Sequence, residues 1–466
     1  MKIFLYRFLK STGLLFISAL LLLSCNNWID TKTNIDPDSP SDVPMNLMLP
    51  AIQQAMGYNL AGNDMVLTTN IWMQQFDGVD RQAYTEARYQ YTPADVNNLW
   101  NSIYASILMN SAVFVSKAEN TEGKYSPYNA GIGRVIIAAS LGVTTDLFGD
   151  MPFRDALKGN QNVLKPIFDT QAKVYDTIKV ILDKAILDLG KASTENLVAV
   201  KGDVIYTGDV AKWKKAAYAV KARHALQLSK VKGNAAYTDA LAAAANGFTS
   251  NSDDMGVPWE TANHNPIFQF MEQRSDARMG ATLVNLMKSI SDPRLPLYCE
   301  KDAGGAYTGC VIGSQNGNAS KPGSYVAGVT ATSIIITYAE QKFIEAEANF
   351  MLSKTTEAKA ALLEAVKASV TKVTGNATFD QTWYTTNIGG QTLSLDLIMK
   401  QKYIASFGTN QAYADYRRTG LPAMPAYPGA VLANMPNRYP YPQDEISYNG
   451  GNVPTVTISD KLWWAK

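Results

Sequence analysis

The chain has 466 residues, 46% of them hydrophobic, 18% charged and 10% aromatic, which is the composition of a globular protein and excludes disordered and low-complexity classes. Its length accommodates about two to three domains or one large one with an ample core. Lys+Arg 42 against Asp+Glu 41 leaves a net charge of +1, which excludes nucleic-acid binding as the main function, and only the extreme N-terminus carries an apolar run approaching 18 residues, which excludes a membrane-spanning transporter.

The chain opens with a positive segment, Lys2, Arg7 and Lys10, followed by an apolar run from Leu14 to Leu23 too short to span a bilayer comfortably. This pattern predicts a cleaved export signal over residues 1–24. Leu22-Leu23-Ser24-Cys25 resembles a bacterial lipobox, making Cys25 the acylated first residue of the mature chain. Each buried CH₂ of an acyl chain contributes about 0.8 kcal/mol, so several chains on one residue form a stable anchor. Residues 25–44, rich in Asn, Asp, Ser, Thr and Pro, read as a flexible tether. Asp36, Asp38 and Asp42 lack the glycine and closing glutamate of a calcium loop. The folded body is assigned to residues 45–466.

Within that body the reading is mainly α. Helices are expected near 45–59, 95–118 and 129–147. An apolar stripe then follows at Tyr175, Ile178, Leu182, Ala185 and Leu189. Further helices are expected near 208–230, 235–246 and 279–290. Two more stripes follow, at Ile336, Ala339, Phe343, Ala346 and Phe350 and at Ala358, Ala361, Ala365 and Ala368, before a last helix near 393–407. Steps of three and four residues place each stripe on one helix face. The second and third stripes are joined by Ser353-Lys354-Thr355, with Thr355 or Thr356 as N-cap. Together they form an antiparallel hairpin of tetratricopeptide-like length. Strand-like segments are few: Ile334 to Thr337 and Thr455 to Ile458. Long stretches rich in Gly, Pro, Asn and aromatics, at 60–94, 247–278, 298–332 and 419–458, are expected to be functional loops.

No GxSxG, HExxH, P-loop or GxGxxG constellation is present. Two histidines and three cysteines without a CxxC pair argue against a zinc site. No metal or cofactor is therefore assigned. The adjacent acids Asp253-Asp254 and Asp444-Glu445 read as solvated turns rather than a glycosidase pair. His224 continues the stripe Trp213, Ala217, Val220 and reads as a hydrogen-bonded core histidine. Cys299 and Cys310 bracket a Gly-rich loop; in an oxidising compartment they form a disulfide, the alternative being two free thiols. The loop aromatics carry the functional reading, because sugars stack apolar faces on Trp and Tyr rings while their hydroxyls need Asn, Asp, Gln or Arg. Trp72, Tyr84, Tyr89 and Trp259 are expected to stack ligand, with Arg81, His264 and Asn265 as polar partners. Trp100, Trp213 and Trp463-Trp464 are expected to be core.

Several short motifs in a fixed order resemble the SusD/RagB-like nutrient-binding lipoproteins, in particular their second, SusD-like branch. These are Asn34-Ile35-Asp36-Pro37 and Asn46-Leu47-Met48-Leu49-Pro50, Phe148-Gly149-Asp150-Met151-Pro152-Phe153, Lys212-Trp213-Lys214, and Asp292-Pro293-Arg294-Leu295. They continue with Tyr338-Ala339-Glu340 to Ala348, Arg417-Arg418-Thr419-Gly420, and Arg438-Tyr439-Pro440-Tyr441-Pro442 with Glu445. The resemblance implies a mainly α, SusD-like fold with tetratricopeptide-like helix hairpins and long irregular ligand-binding loops. It also implies a surface-exposed, lipid-anchored, non-enzymatic outer-membrane protein. Such a protein captures oligosaccharides, or in some members peptides, for a SusC-like TonB-dependent β-barrel transporter. A peptide-binding member, an all-α glycoside hydrolase and a purely structural helical scaffold are the alternatives.

Overall fold

The computed structural model describes residues 42–120 and 124–466. The expected export signal, Cys25 and most of the tether lie outside the described residues. Helix α1 (Met45–Asn59) is followed closely by α2 (Asn63–Trp72), the short strand β1 (Phe76–Gly78) and α3 (Arg81–Ala87). The segment 60–94, expected as a loop, therefore holds two helices. Thr68, Thr69 and Asn70 are weak helix formers, but all three are buried, and Thr69 Oγ1 and Asn70 Nδ2 bond back to the carbonyls of Met65 and Val66 at 2.8 Å.

The helix expected over 95–118 is segmented into Asn97–Asn101, a π-helical stretch Ser102–Met109, and α4 (Asn110–Glu119). Helix α5 (Pro127–Phe148) is buried on all sides and, by length and composition alone, long and apolar enough to cross a membrane. The opening expectation that only the N-terminus carries such a run is thus corrected. Since 94% of that apolar window is buried inside the molecule, α5 is the central strut of the core.

Around it run α6 (Gln171–Asp188), α7 (Val210–Gln227) and α8 (Asn234–Ala244). The chain continues through β2 (Met255–Val257), α9 (Pro266–Gln273), β3 (Ala277–Met279), α10 (Ala281–Ser289) and β4 (Ser333–Ile336). Helices α11 (Tyr338–Met351), α12 (Thr355–Thr374), α13 (Leu395–Ala405) and α14 (Gln411–Thr419) complete the body. Helices α5, α6, α7, α8, α11 and α12 pack in series, each against the next, as a tetratricopeptide-like array. In the α11–α12 hairpin Thr337 caps α11 by accepting from the Glu340 amide at 3.0 Å. Neither Thr355 nor Thr356 is the cap of α12: Lys354 occupies that position, and Thr355 is already helical. Ala358, Ala361, Ala365 and Ala368 are buried as the stripe requires.

Two antiparallel strand pairs tie the irregular segments down, β1 with β3 (Phe76 opposite Met279) and β2 with β4 (Met255 opposite Ile336). Thr455 to Ile458 is not a strand. Its backbone is used locally, the Thr457 amide donating to Asp460 and the Ile458 carbonyl accepting from Asn437, each at 2.7 Å.

The short motifs are structural joints. Asp150 accepts from the Gln171 amide at 2.7 Å and starts α6. Arg294 pairs with Asp292 at 2.6–2.9 Å and donates to Ser369 at 2.8 Å, pinning the end of α10 to α12. Arg418 of α14 pairs with Glu347 of α11 and with Asp415, which also takes Lys402 of α13 at 2.8 Å. Two cations and two carboxylates, none more than 5% exposed, balance in the interior. Such a cluster holds three helices in one register, because removing any member leaves an uncompensated buried charge.

The disulfide expected between Cys299 and Cys310 is not formed; both are buried free thiols. Cys299 bridges to Pro322 and Cys310 to Gly280, so the backbone carries the two sulfurs into separate neighbourhoods. Each thiol faces a backbone carbonyl, Glu300 at 3.4 Å and Val311 at 3.6 Å. Burial pushes both thiols up to about 11, which keeps them protonated and unreactive.

Candidate functional site

A polar cavity of about 450 Å³ opens where α1, α2, α3, the turn Pro93–Val96 and α9 converge. The segments 60–94 and 247–278, marked as functional from sequence, thus meet in one place. Helix α3 contributes Gln82, Ala83 and Glu86, positions that share a helix face. Glu86 is only 6% exposed, and its carboxylate accepts from Thr68 Oγ1 at 2.8 Å and Gln82 Nε2 at 2.9 Å. Helix α9 contributes Gln269, Phe270, Gln273 and Arg274. Tyr58, Asn63, Asp95 and Asn98 complete the polar wall, and Leu67 and Ile71 supply apolar surface.

Five carboxamides, two carboxylates, one guanidinium and two rings thus face one space. Amides both donate and accept, so the cavity can satisfy hydroxyls in many orientations, while Tyr58 and Phe270 offer apolar faces. Asp95 is held by its own turn, accepting from the Thr92 amide and hydroxyl at 2.7 Å each. Gln269 is oriented by donating to the His264 carbonyl at 2.6 Å.

None of the seven residues singled out from sequence lines this cavity. Trp72 is fully buried among Tyr91, Tyr413 and Tyr439 at 5.3–5.4 Å between ring centroids. Its ring has no face open to a ligand; its Nε1 donates to the Glu86 carbonyl at 3.0 Å and so fixes α3 against α2. Trp259 is also buried, and its Nε1 donates to Ser333 Oγ at 2.8 Å. Tyr89 is buried at a positive φ of 63°, its ring 6.1 Å from Tyr427, and burial pushes its hydroxyl up to about 12. Asn265 is the N-cap of α9, accepting from the amides of Ile267 and Phe268 at 2.8 and 3.0 Å and donating to the Ala331 carbonyl at 2.8 Å. Arg81 is exposed and clamps Asp276 through Nε at 2.9–3.0 Å, which joins α3 to the residue before β3. Tyr84 is half-buried under Arg88, and half-buried His264 contacts the Thr261 carbonyl at 2.8 Å and the edge of Phe268.

Of the expected core tryptophans, Trp100, Trp213 and Trp464 are buried, whereas Trp463 is only half-buried. His224 is buried as expected, but neither ring nitrogen has a hydrogen-bond partner among the described residues. Sequence reasoning missed Tyr58, Gln82, Glu86, Asp95, Asn98, Gln273 and Arg274. The available signal was the spacing Gln82–Glu86 and Gln269–Gln273, four residues apart, which places polar pairs on one helix face.

The sequence model of the second SusD-like family, described as starch-binding associating with outer membrane, matches residues 37–442. The chain belongs to the SusD-like family. Proteins of this family are binding proteins rather than enzymes. No curated protein matches this SusD-like chain in sequence. Among solved structures, a SusD/RagB family protein from Bacteroides thetaiotaomicron superposes with a TM-score of 0.75 at 24% identity, covering 91% of this chain and 99% of that one. A chitin-binding SusD homolog from Flavobacterium johnsoniae gives 0.74 at 21% identity, covering 91% and 97%. At these identities the likeness establishes the SusD-like fold, which is mainly α as the sequence indicated.

Proposed function

We propose that this SusD-like chain is a lipid-anchored protein of the outer-membrane surface that captures oligosaccharides in the polar cavity, without cleaving them. It passes them to a SusC-like TonB-dependent β-barrel transporter. The observation that carries this reading is the cavity lining: five amides beside two rings, with a single buried carboxylate beneath. That combination suits the alternating hydroxyls and C–H faces of sugars better than the side-chain pockets and backbone ladder that peptide recognition uses. Further support comes from the family's description as starch-binding and from a structural neighbour named as chitin-binding. Of the residues read from sequence, Arg81, Tyr84 and His264 keep accessible surface and are proposed as outer contacts. Trp72, Tyr89, Trp259 and Asn265 are proposed to act by holding the walls.

The test is calorimetric titration of the full chain with glucose and N-acetylglucosamine oligomers and with peptides of similar length. Saturable sugar binding is expected. Joint replacement Gln82→Ala and Gln269→Ala is expected to weaken it by about 1–3 kcal/mol, the worth of one or two hydrogen bonds. Saturable peptide binding with no sugar response would establish the peptide reading instead, and shortened sugars after incubation would establish a hydrolase.

A further inference from the structure

The surface around Asp42, just before α1, combines exposed leucines with lysines. Asp42, Asn46, Lys117, Leu197 and Lys201 line one depression there. Lys117 of α4 pairs with Asp42 and donates to the Val43 carbonyl at 2.7 Å. Gly202 lies so close to the first turn of α1 that an added Cβ would come within 2.2 Å of the Asn46 carbonyl, which sets Lys201 beside that turn. The end of α6 and the start of α7 reach the same place. Tyr128, which donates to the Lys191 carbonyl at 2.8 Å, also takes its own amide to Asn196 at 3.2 Å, and Lys214 Nζ lies against Gly190. Three leucines at this end stand in water: Leu47, Leu187 and Leu197 are 58%, 69% and 59% exposed. Residues 184–215 hold six lysines, whereas of their four acids only Glu195 and Asp209 are exposed. Lys184 pairs with Glu119, Lys191 with Glu195 and Lys215 with Asp253, at 2.7–3.1 Å. Lys201 and Lys214 have no carboxylate partner among the described residues.

We propose that this end of the molecule rests on the phosphate-bearing surface of the membrane. Leu47, Leu187 and Leu197 enter the headgroup layer, and Lys191, Lys201 and Lys214 meet lipid phosphates. Exposed apolar side chains set among lysines are what an interfacial surface requires, since the one gains by leaving water and the other by meeting anionic headgroups. The inference rests on the lipid-anchor reading above. Only 16 residues separate Cys25 from Asp42, so an anchored chain holds this end at a higher effective concentration near lipid than any more distant part of its surface. Each contact is weak and salt-screened, so the surface orients a protein that the acyl chains already retain, and it does not hold an unanchored one. Leu47 and Tyr58 of the cavity wall are 11 residues apart on α1, about 16 Å along its axis, so the lipid-facing end and the glycan cavity occupy opposite ends of that helix.

The test places the acylated full chain in vesicles of phosphatidylcholine, alone or mixed with phosphatidylglycerol, that contain a headgroup-linked fluorescence quencher. A fluorophore is attached at Leu197→Cys or, in a second sample, at Val431→Cys, an exposed position on the loop that bonds to Arg88. In the mixed vesicles at low salt, quenching at position 197 is expected to exceed that at 431 by about twofold or more. It is expected to fall towards the value at 431 in high salt, in phosphatidylcholine alone, and in the joint variant Lys191→Gln, Lys201→Gln and Lys214→Gln. Equal quenching at the two positions on a chain that stays with the vesicles overturns this inference alone. So does stronger quenching at 197 that neither salt nor the lysine replacements reduce. A chain that does not stay with the vesicles overturns the anchor reading and takes this inference with it.

Discussion

His224 shows how one side chain can sit where the periodicity puts it and still have an unexpected chemistry. It lies on the buried face of α7, against the bare backbone of Gly142 in α5, where even an added Cβ would come within 1.9 Å of its ring. Glycine is needed at position 142 because the helices approach this closely. Burial, assisted by the neighbouring Arg223, pushes the imidazole down to about 3 from an ordinary 6.5. The unfolded chain therefore takes up a proton as pH falls through 6.5, whereas the folded chain does so only near 3. The stability contributed by the neutral ring is full above 6.5 and is lost as pH falls across that window. Buried Asp146 works in the opposite sense, since burial raises its carboxyl to about 6 and favours the folded state at low pH. His224→Gln is expected to reduce the loss of unfolding free energy between pH 7 and pH 4 by about 3 kcal/mol, with Asp146 common to both proteins. Urea unfolding at the two pH values measures this; an unchanged acid limb would show that His224 is solvated.

At the level of helices and strands, the site depends on α9 and α3 being held at fixed angles. Asn265 caps α9 and at the same time anchors it to Ala331. Asn265→Ala is expected to cost about 1–2 kcal/mol of stability and also to weaken oligosaccharide binding, because Gln269, Phe270 and Gln273 ride on that helix. Thermal unfolding and titration of the same variant check the two effects; lost stability with unaltered affinity would detach α9 from the site. Long amphipathic helices such as α6, α11 and α12 were legible because their apolar steps repeat for three turns or more. Helices α2 and α3 were not, because burial on nearly every side of α2 removes the alternation that marks a helix, and α3 is only seven residues long.

Taken as a whole, the molecule is a packed helical array with a polar cavity between irregular segments that strand pairing and buried ion pairs hold in place. Cys25, the proposed anchor, precedes the first helix α1 in the sequence, so anchoring is expected to be separable from folding. Cys25→Ala is expected to move the protein from the membrane to the soluble fraction while its thermal unfolding and sugar affinity stay unchanged. Unaltered fractionation would count against lipidation. The two loop regions that form the cavity were recognisable from composition, yet every aromatic chosen there for ligand stacking lies outside its lining. Large rings bury the most apolar area, so in a helical body they are drawn inward, and polar side chains are left to line a solvent-filled space.

Read alone, the sequence established a mainly α body, its helix hairpin and its family resemblance, since all of these depend on local spacing and order along the chain; of the four stretches it marked as functional loops, 60–94 and 247–278 line the cavity. Folding in three dimensions decided that Cys299 and Cys310 stay apart, that Trp72 supports rather than binds, and that Glu86 lies beneath the cavity. Those outcomes depend on which faces of α1, α2, α3 and α9 turn toward one another. That is set by packing between elements distant in sequence, which no local pattern records.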